Sequence, residues 1–478
     1  MMNKKLLSMA VVAAIGTAGV GGAQAVYVNN DGLGEVLIYP FYSVEGDQDT
    51  YITVVNTTDQ VKAVKVRFLE GMNSQEVLDF NLYLSPRDHW SARVSEGSDG
   101  GARLVTSDQS CTVPNIVDRA GSSVGFRPFQ YSEDSVNGIE RTREGYVELI
   151  EMGTVINLAP GDPDGFNPAR WATHDSTGVP RDCAALVDAW RPGGEWDAAP
   201  NEAIRDASGG LYGYGNLINP ADGVSVGYDA VAFDDFWDDP RFQHSEPGSL
   251  FPSLGSGSDY AQVIDGNDLF DLDFDSGIDA LSATIMKGSI ANDFVLAPEI
   301  NAATDWVVNF PTKRFYTNTA FLANGAPAVG ATPPFTAHWD RRVSRACEAI
   351  GLAYWDREEQ KIEGDVDFSP RPTTDPASLC AEVNVVSFNN ESPLYASDRI
   401  RGDVGVEFDN GWLEMSFDNI AARTLTDETG DVEFRGLPVV GFAVQRYTNG
   451  DLGGLLANYM SLVNHKGVRN ITVEDVGS

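Results

Sequence analysis

Between Glu35 and Val94 apolar and polar residues alternate with a period of two in four successive runs. Thr50–Val55 places Ile52 and Val54 on one side, and Lys62–Leu69 sets Val64, Val66 and Phe68 against Lys65 and Arg67. Val77–Leu84 sets Leu78, Phe80, Leu82 and Leu84 against Asp79, Asn81 and Tyr83, and His89–Val94 sets Trp90, Ala92 and Val94 against His89, Ser91 and Arg93. This rhythm is that of strands with one apolar side. The runs are separated by Asn56-Thr57-Thr58-Asp59, Gly71-Met72-Asn73-Ser74 and Ser85-Pro86-Arg87-Asp88, residues that bend a chain through side-chain hydrogen bonds or fixed backbone angles. A repeat of roughly a dozen residues per strand and turn marks an antiparallel sandwich or barrel.

Strand character continues at Ala102–Thr106 and Gly145–Val155, on either side of an irregular stretch. Residues 26–158 therefore read as an immunoglobulin-like antiparallel β-sandwich. A decorated connection follows, with a helix expected at Asp182–Trp190. Leu211–Asn219 and Gly223–Phe233 then form a hairpin about Asn219-Pro220-Ala221-Asp222. Asp234–Gly257 is a surface loop, and Leu281–Met286 and Asp305–Phe310 are further strand candidates. Residues 159–325 thus form a β-rich region with long acidic loops. A boundary near Asn324–Pro334 leads into a C-terminal β-rich domain, 326–478, with strands at Glu382–Phe388, Gly411–Phe417, Val439–Tyr447 and Ala457–Val463. The last two are joined at Thr448-Asn449-Gly450-Asp451, whose Asn-Gly pair is a hairpin turn signal. The expected class is all-β, a sandwich followed by further β-rich regions with long irregular loops.

The first 25 residues change where this fold is expected to work. Met1 to Lys5 carries positive charge, Leu6 to Gly22 is apolar, and Ala23-Gln24-Ala25 is a small-residue cleavage site, together a secretion signal. The apolar run is shorter than the ~20 residues a span needs, and no later run reaches that length. The expected location is the cell surface or the extracellular space, with the periplasm as the other compartment. Four cysteines in an exported chain point to structural disulfides. Cys111–Cys183 and Cys347–Cys380 are expected, although four cysteines allow three pairings.

The charge is lopsided, with 33 Lys and Arg against 70 Asp and Glu and a formal −37, which loss of Lys4 and Lys5 with the signal takes to −39. Such a surface repels nucleic acid and anionic membranes. It suits colloidal solubility, cationic partners or divalent cations. The candidate calcium ligands are Asp265, Asn267, Asp268, Asp271, Asp273 and Asp275, followed by Asp279, because hard cations take several oxygen ligands at once. The run is not an EF-hand: counting from Asp271, the glycine and glutamate places hold Ser276 and Ser282. Leu272 and Phe274 alternate with the aspartates, so an exposed strand charged against edge pairing is the plain reading. Asp162-Pro163-Asp164-Gly165 and Asp234-Asp235 with Asp238-Asp239 are weaker versions.

No catalytic motif stands out. Gly121-Ser122-Ser123-Val124-Gly125 matches the nucleophile pattern of hydrolases, but Val113-Pro114-Asn115 before it and Pro128 after it do not supply a strand-turn-helix. His89, His174, His244, His338 and His465 form no metal signature. Gly210, Gly213 and Gly215 lack the third glycine and the context of a dinucleotide loop. Arg401-Gly402-Asp403 is a three-letter coincidence in the absence of a receptor. Nine tryptophans and many carboxylates keep sugar binding or cleavage open, though packing explains Trp90, Trp306 and Trp412 as well. A glycosidase needs two carboxylates about 5–10 Å apart across a cleft.

Gly32 to Tyr42, Val55-Asn56-Thr57-Thr58, Val64 to Gly71, Asp305 to Phe315 and Gly436 to Phe442 resemble an uncharacterised family of exported proteobacterial proteins often labelled cell-surface proteins. The resemblance implies an envelope or extracellular location and supplies no reaction, cofactor or site residue. The expectation is a non-enzymatic, acidic β protein that acts by assembly, adhesion or binding, with other envelope or extracellular proteins or polysaccharide as partners. A carbohydrate-binding or polysaccharide-degrading protein, calcium-dependent, is the alternative. A deep cleft with facing carboxylates and a Trp platform favours the sugar reading; exposed sheet edges with an apolar patch favour assembly.

Overall fold

The computed structural model describes residues 25–162, 165–238, 243–318, 329–363, 368–369 and 377–474. The expected secretion signal, apart from Ala25, lies outside the described residues, as do Pro163, Asp164, Asp239 and the 324–328 part of the expected boundary.

The period-2 alternation places its strands well. The larger sheet of the first sandwich runs in space β1 (Tyr27–Val28), β14 (Val231–Asp234), β2 (Val36–Ser43), β10 (Glu144–Val155), β4 (Val61–Glu70), β5 (Glu76–Leu84) and β8 (Cys111–Val113), with β11 (Ile204–Arg205) against β10. The facing sheet is β13 (Val224–Asp229), β12 (Leu211–Asn219), β3 (Asp49–Asn56), β6 (His89–Glu96), β7 (Ala102–Val105) and β9 (Ser123–Gly125). All pairings in both sheets are antiparallel. The turn expected at Asn219–Asp222 forms, with the Asp222 N–H donated to Asn219 Oδ1 at 3.0 Å. Between the sheets Tyr42, Phe68 and Phe126 meet edge-on or tilted, with ring centroids 5.0 to 5.8 Å apart. Trp90 packs on Phe80.

The polar sides of β4 and β10 do not face water. Both strands are buried along their whole length. At one end α1 (Pro168–Ala172), α2 (Cys183–Ala189) and α3 (Glu195–Ala198) lay Leu186 and Trp196 on Val61, Ala63 and Tyr83. Asp182 caps α2 by accepting the Ala185 N–H at 3.0 Å. The Cys111–Cys183 disulfide ties that helix to β8. His244 closes the same layer: it accepts the Tyr83 hydroxyl at Nε2 (2.9 Å) and donates Nδ1–H to the Pro200 carbonyl.

A second pair of sheets begins with β15 (Tyr260–Asp265), β16 (Asp268–Asp273), α4 (Gly277–Ile285), β17 (Met286–Lys287), β18 (Ser289–Val295), β19 (Ala302–Asn309) and α5 (Lys313–Thr317). β19 lies between Val383–Phe388 and Val440–Asp451 in a six-stranded sheet whose edge is Leu456–Asn464. β18 pairs with Asn410–Ser416 in the five-stranded sheet opposite. Trp306, Phe294 and Phe388 fill the space between them. The second disulfide, Cys347–Cys380, joins the short paired strands Glu348–Ala349 and Ser378–Leu379 at their ends. The two sandwiches share one apolar cluster that runs from Val26 and Leu37 to Val383, Leu394 and Phe442. Asn309 donates to the Pro40 carbonyl at 2.9 Å and Gln48 to the Leu394 carbonyl at 2.7 Å across the junction. Among the described residues the fold is all-β and sandwich-like, with no closed barrel.

Two local expectations fail. Of Leu281–Met286, Leu281 to Ile285 form not a strand but the second half of α4, and only Met286 is extended, as the start of β17. Ser276 starts that helix by accepting the Asp279 N–H, and every residue from Ala280 to Ile285 is buried, so the short apolar run carried no usable period. Nor does Asn449-Gly450 make the hairpin turn. The register slips between Thr448 and Asp451, the strand continues to Asp451, and the chain reverses at Leu452–Leu455.

Candidate binding surfaces

The residues singled out for chemistry are scattered. Asp265 to Asp275 fall on the β15–β16 hairpin, where Asp265 pairs with Asp268, Gln262 with Asp271 and Tyr260 with Asp273. Asp268, Asp271, Asp273 and Asp275 are exposed while Leu272 and Phe274 are buried, and Asp271 accepts the Gln262 amide at 2.9 Å. Asp279 is turned to Tyr316, whose hydroxyl it accepts at 2.8 Å. Among the described residues no three His, Cys, Asp or Glu side chains gather as a metal site. Ser123 lies in β9 with no helix after it, and its hydroxyl contacts Arg103 and the Ala120 carbonyl. Gly213 and Gly215 are positions of close approach to Tyr39 and Tyr228 rather than a phosphate cradle. Asp403 of Arg401-Gly402-Asp403 is buried and accepts the Asn390 N–H.

Two features were not singled out from the sequence. The first is the sheet edge Leu456–Asn464. Among the described residues it pairs on one side only and packs against Val224–Asp229, with Asn458 donating to the Asp222 carbonyl at 2.7 Å. No charged residue occurs from Leu452 to Asn464 in a chain of net charge −37. Leu452, Leu455, Leu456 and Tyr459 at its tip are 58 to 73% exposed. Edges of natural sheets are normally guarded by charge, proline or a bulge. The absence of charge between Asp451 and Lys466 was readable in the sequence; the edge position was not.

The second is a pair of adjoining cavities at the seam of the sandwiches. The larger, about 740 Å³, is walled by Val231, Ala232, Ile290, Val440 and Phe442 among others, and the smaller, about 270 Å³, by Tyr27, Gln262, Thr284 and Arg469. Val28, Asn30, Lys287 and Val439 line both. Gly441, with φ +149°, makes the larger wall possible: a Cβ there would stand 1.9 Å from the Val307 carbonyl oxygen. His465, half-buried in the wall, donates Nε2–H to the Val307 carbonyl (3.0 Å) and accepts the Asn292 amide at Nδ1 (3.2 Å). Burial pushes its pKa down to about 4, so it is neutral and both ring nitrogens are committed. Burial, with Arg469 nearby, lowers Lys287 to about 8.

On the open face of the five-stranded sheet Trp355 and Trp412, opposite each other, stack at 4.1 Å and 9°. Asp293 and Glu414 stand on the same face. No protein-family model, curated protein or solved structure matches the chain.

Proposed function

We propose that the protein is an exported, non-enzymatic assembly protein of the cell exterior, and that copies join through the edge Leu456–Asn464. The observation that carries this reading is an uncharged edge strand whose apolar tip, Leu452 to Leu456 with Tyr459, is bare on an otherwise strongly acidic surface. Antiparallel pairing of this edge with its copy satisfies backbone donors and acceptors, buries Leu455 and Tyr459, and brings two anionic chains together where neither carries charge. Two disulfides and the secretion signal expected at residues 1–25 support export. The test is sedimentation of the chain lacking residues 1–25 over a wide concentration range. Self-association that is abolished by Leu455→Lys or Met460→Pro supports the reading; a monomer throughout overturns it.

A second reading, sugar binding, draws on the stacked Trp355–Trp412 pair beside Asp293 and Glu414, with Trp412 40% exposed. Quenching of tryptophan fluorescence by a neutral polysaccharide, lost in Trp412→Ala, would favour it.

A further inference from the structure

The smaller cavity brings two cations into one wall in an otherwise acidic molecule. Lys287 and Arg469 both reach its wall, and no carboxylate is among the residues that line it. Arg469 is held in place by donating to the carbonyls of Ala283 and Met286, both at 3.0 Å, and to that of Thr284, the last turn of α4. Its position is therefore fixed by the helix end, with Asp265 acting on it only at longer range. Lys287 differs from the other buried cations. Lys62 has Glu151, Lys65 has Asp79, Arg67 has Glu76 and Glu148, and Arg423 has Glu348. Lys313 donates to the carbonyls of Ala346 and Ala381. The Lys287 ammonium makes no hydrogen bond or ion pair among the described residues; Arg469 repels it, and Asp265, outside the wall, attracts both cations without pairing with either.

A half-buried ammonium beside a guanidinium is stabilised by an anion between them. The larger cavity opens from the same lysine. Its deeper wall is aliphatic and aromatic, and its two carboxylates, Asp31 and Asp229, are exposed. Its volume falls in the range that encloses a small organic ligand.

We propose that the seam binds a small amphipathic acid, with its carboxylate or phosphate head between Lys287 and Arg469 and its apolar body against Val231, Ile290 and Val440. The head forms charge-assisted hydrogen bonds with both cations, and Tyr27, Asn30, Gln262 and Thr284 supply further polar contacts. Of the edge strand only its last residue, Asn464, touches the larger cavity, so the proposal does not depend on assembly.

The test is calorimetric titration of the chain lacking residues 1–25 with decanoate and with decyl phosphate. Decanol and decyltrimethylammonium serve as controls, and inorganic phosphate probes the head site alone. The acids should bind at least tenfold tighter than both controls, and the stronger of the two identifies the head group. Lys287→Gln should lose at least tenfold for either acid. Val231→Trp should block decanoate while leaving inorganic phosphate unaffected. Acids that bind no better than decanol, or a Lys287→Gln protein with unchanged affinity, overturn the proposal. Should that variant fail to fold, the unsubstituted protein still decides. At pH 8 decanoate should slow acetylation of Lys287, read by mass spectrometry, without slowing that of exposed Lys466. Equal rates with and without decanoate overturn the proposal.

Discussion

Arg67 and Glu148 stand opposite each other on β4 and β10 and close to 2.9 Å, Nη1 to Oε2, with neither side chain more than 2% exposed. Glu76 takes the Arg67 Nε–H at 2.8 Å, and Arg314 approaches Glu148 from α5 at 3.4 Å. Removing one partner of such a buried group leaves an uncompensated charge. Arg67→Met should therefore lower the unfolding free energy by about 3–5 kcal/mol. Joint replacement with Glu148→Leu should cost less than the sum of the single changes, as read from urea titrations.

Stability should fall on both sides of a pH optimum. Burial first, and Glu151 second, push Glu35 up to about 8 even though it accepts the N–H groups of Phe236 and Trp237. Its folded pKa lies above the unfolded value, so the stability it contributes is present below about pH 4.5 and is lost as pH rises toward 8. Glu35→Gln keeps the acceptor and removes the charge. It should gain on the order of 2–4 kcal/mol at pH 8.5 and almost nothing at pH 4. His244 works in the opposite direction. Burial lowers it to about 3, so its stabilisation is present above its unfolded value of about 6.5 and is lost as pH falls from there toward 3. His244→Gln should flatten the acid limb of the stability curve.

The Cys111–Cys183 bond closes a separation of 72 residues. Chain entropy gives such a loop about 4 kcal/mol. The Cys111→Ala, Cys183→Ala double variant should lose about 2–4 kcal/mol. Proteolysis should then cut first within 165–200, because α1 to α3 are short and that bond anchors them to β8.

The β15–β16 hairpin spreads its aspartates along exposed strand positions. Addition of a chelator should leave the melting temperature unchanged, and calcium titration should produce no saturable rise. A drop of several degrees on chelation would instead mark Asp265 to Asp275 as a cation site.

The sequence disclosed what is periodic. β3, β4, β5 and β6 appear where alternation places them, and so does β19 from Asp305-Trp306-Val307-Val308. It could not disclose which polar sides are roofed over. Lys65 and Arg67 alternate as they would on an exposed face, yet Asp79, Glu76 and Glu148 neutralise them beneath α5 and the 243–258 segment. α4 was missed because burial on all sides erases a helical period from Ala280 to Ile285. Lys287 carries no local signal at all. Its significance comes from three segments far apart in the chain, at Val28, Val439 and Arg469, that meet around it.

The apolar cluster that joins Leu37 to Leu394 and Phe442 sets a schedule for biogenesis. The opening strands, which are synthesised first, cannot complete their packing until the C-terminal third has been made and lies beside them. Until then the nascent polypeptide displays sticky surface to its surroundings. Severed halves should therefore aggregate when produced separately yet recover native form when produced together.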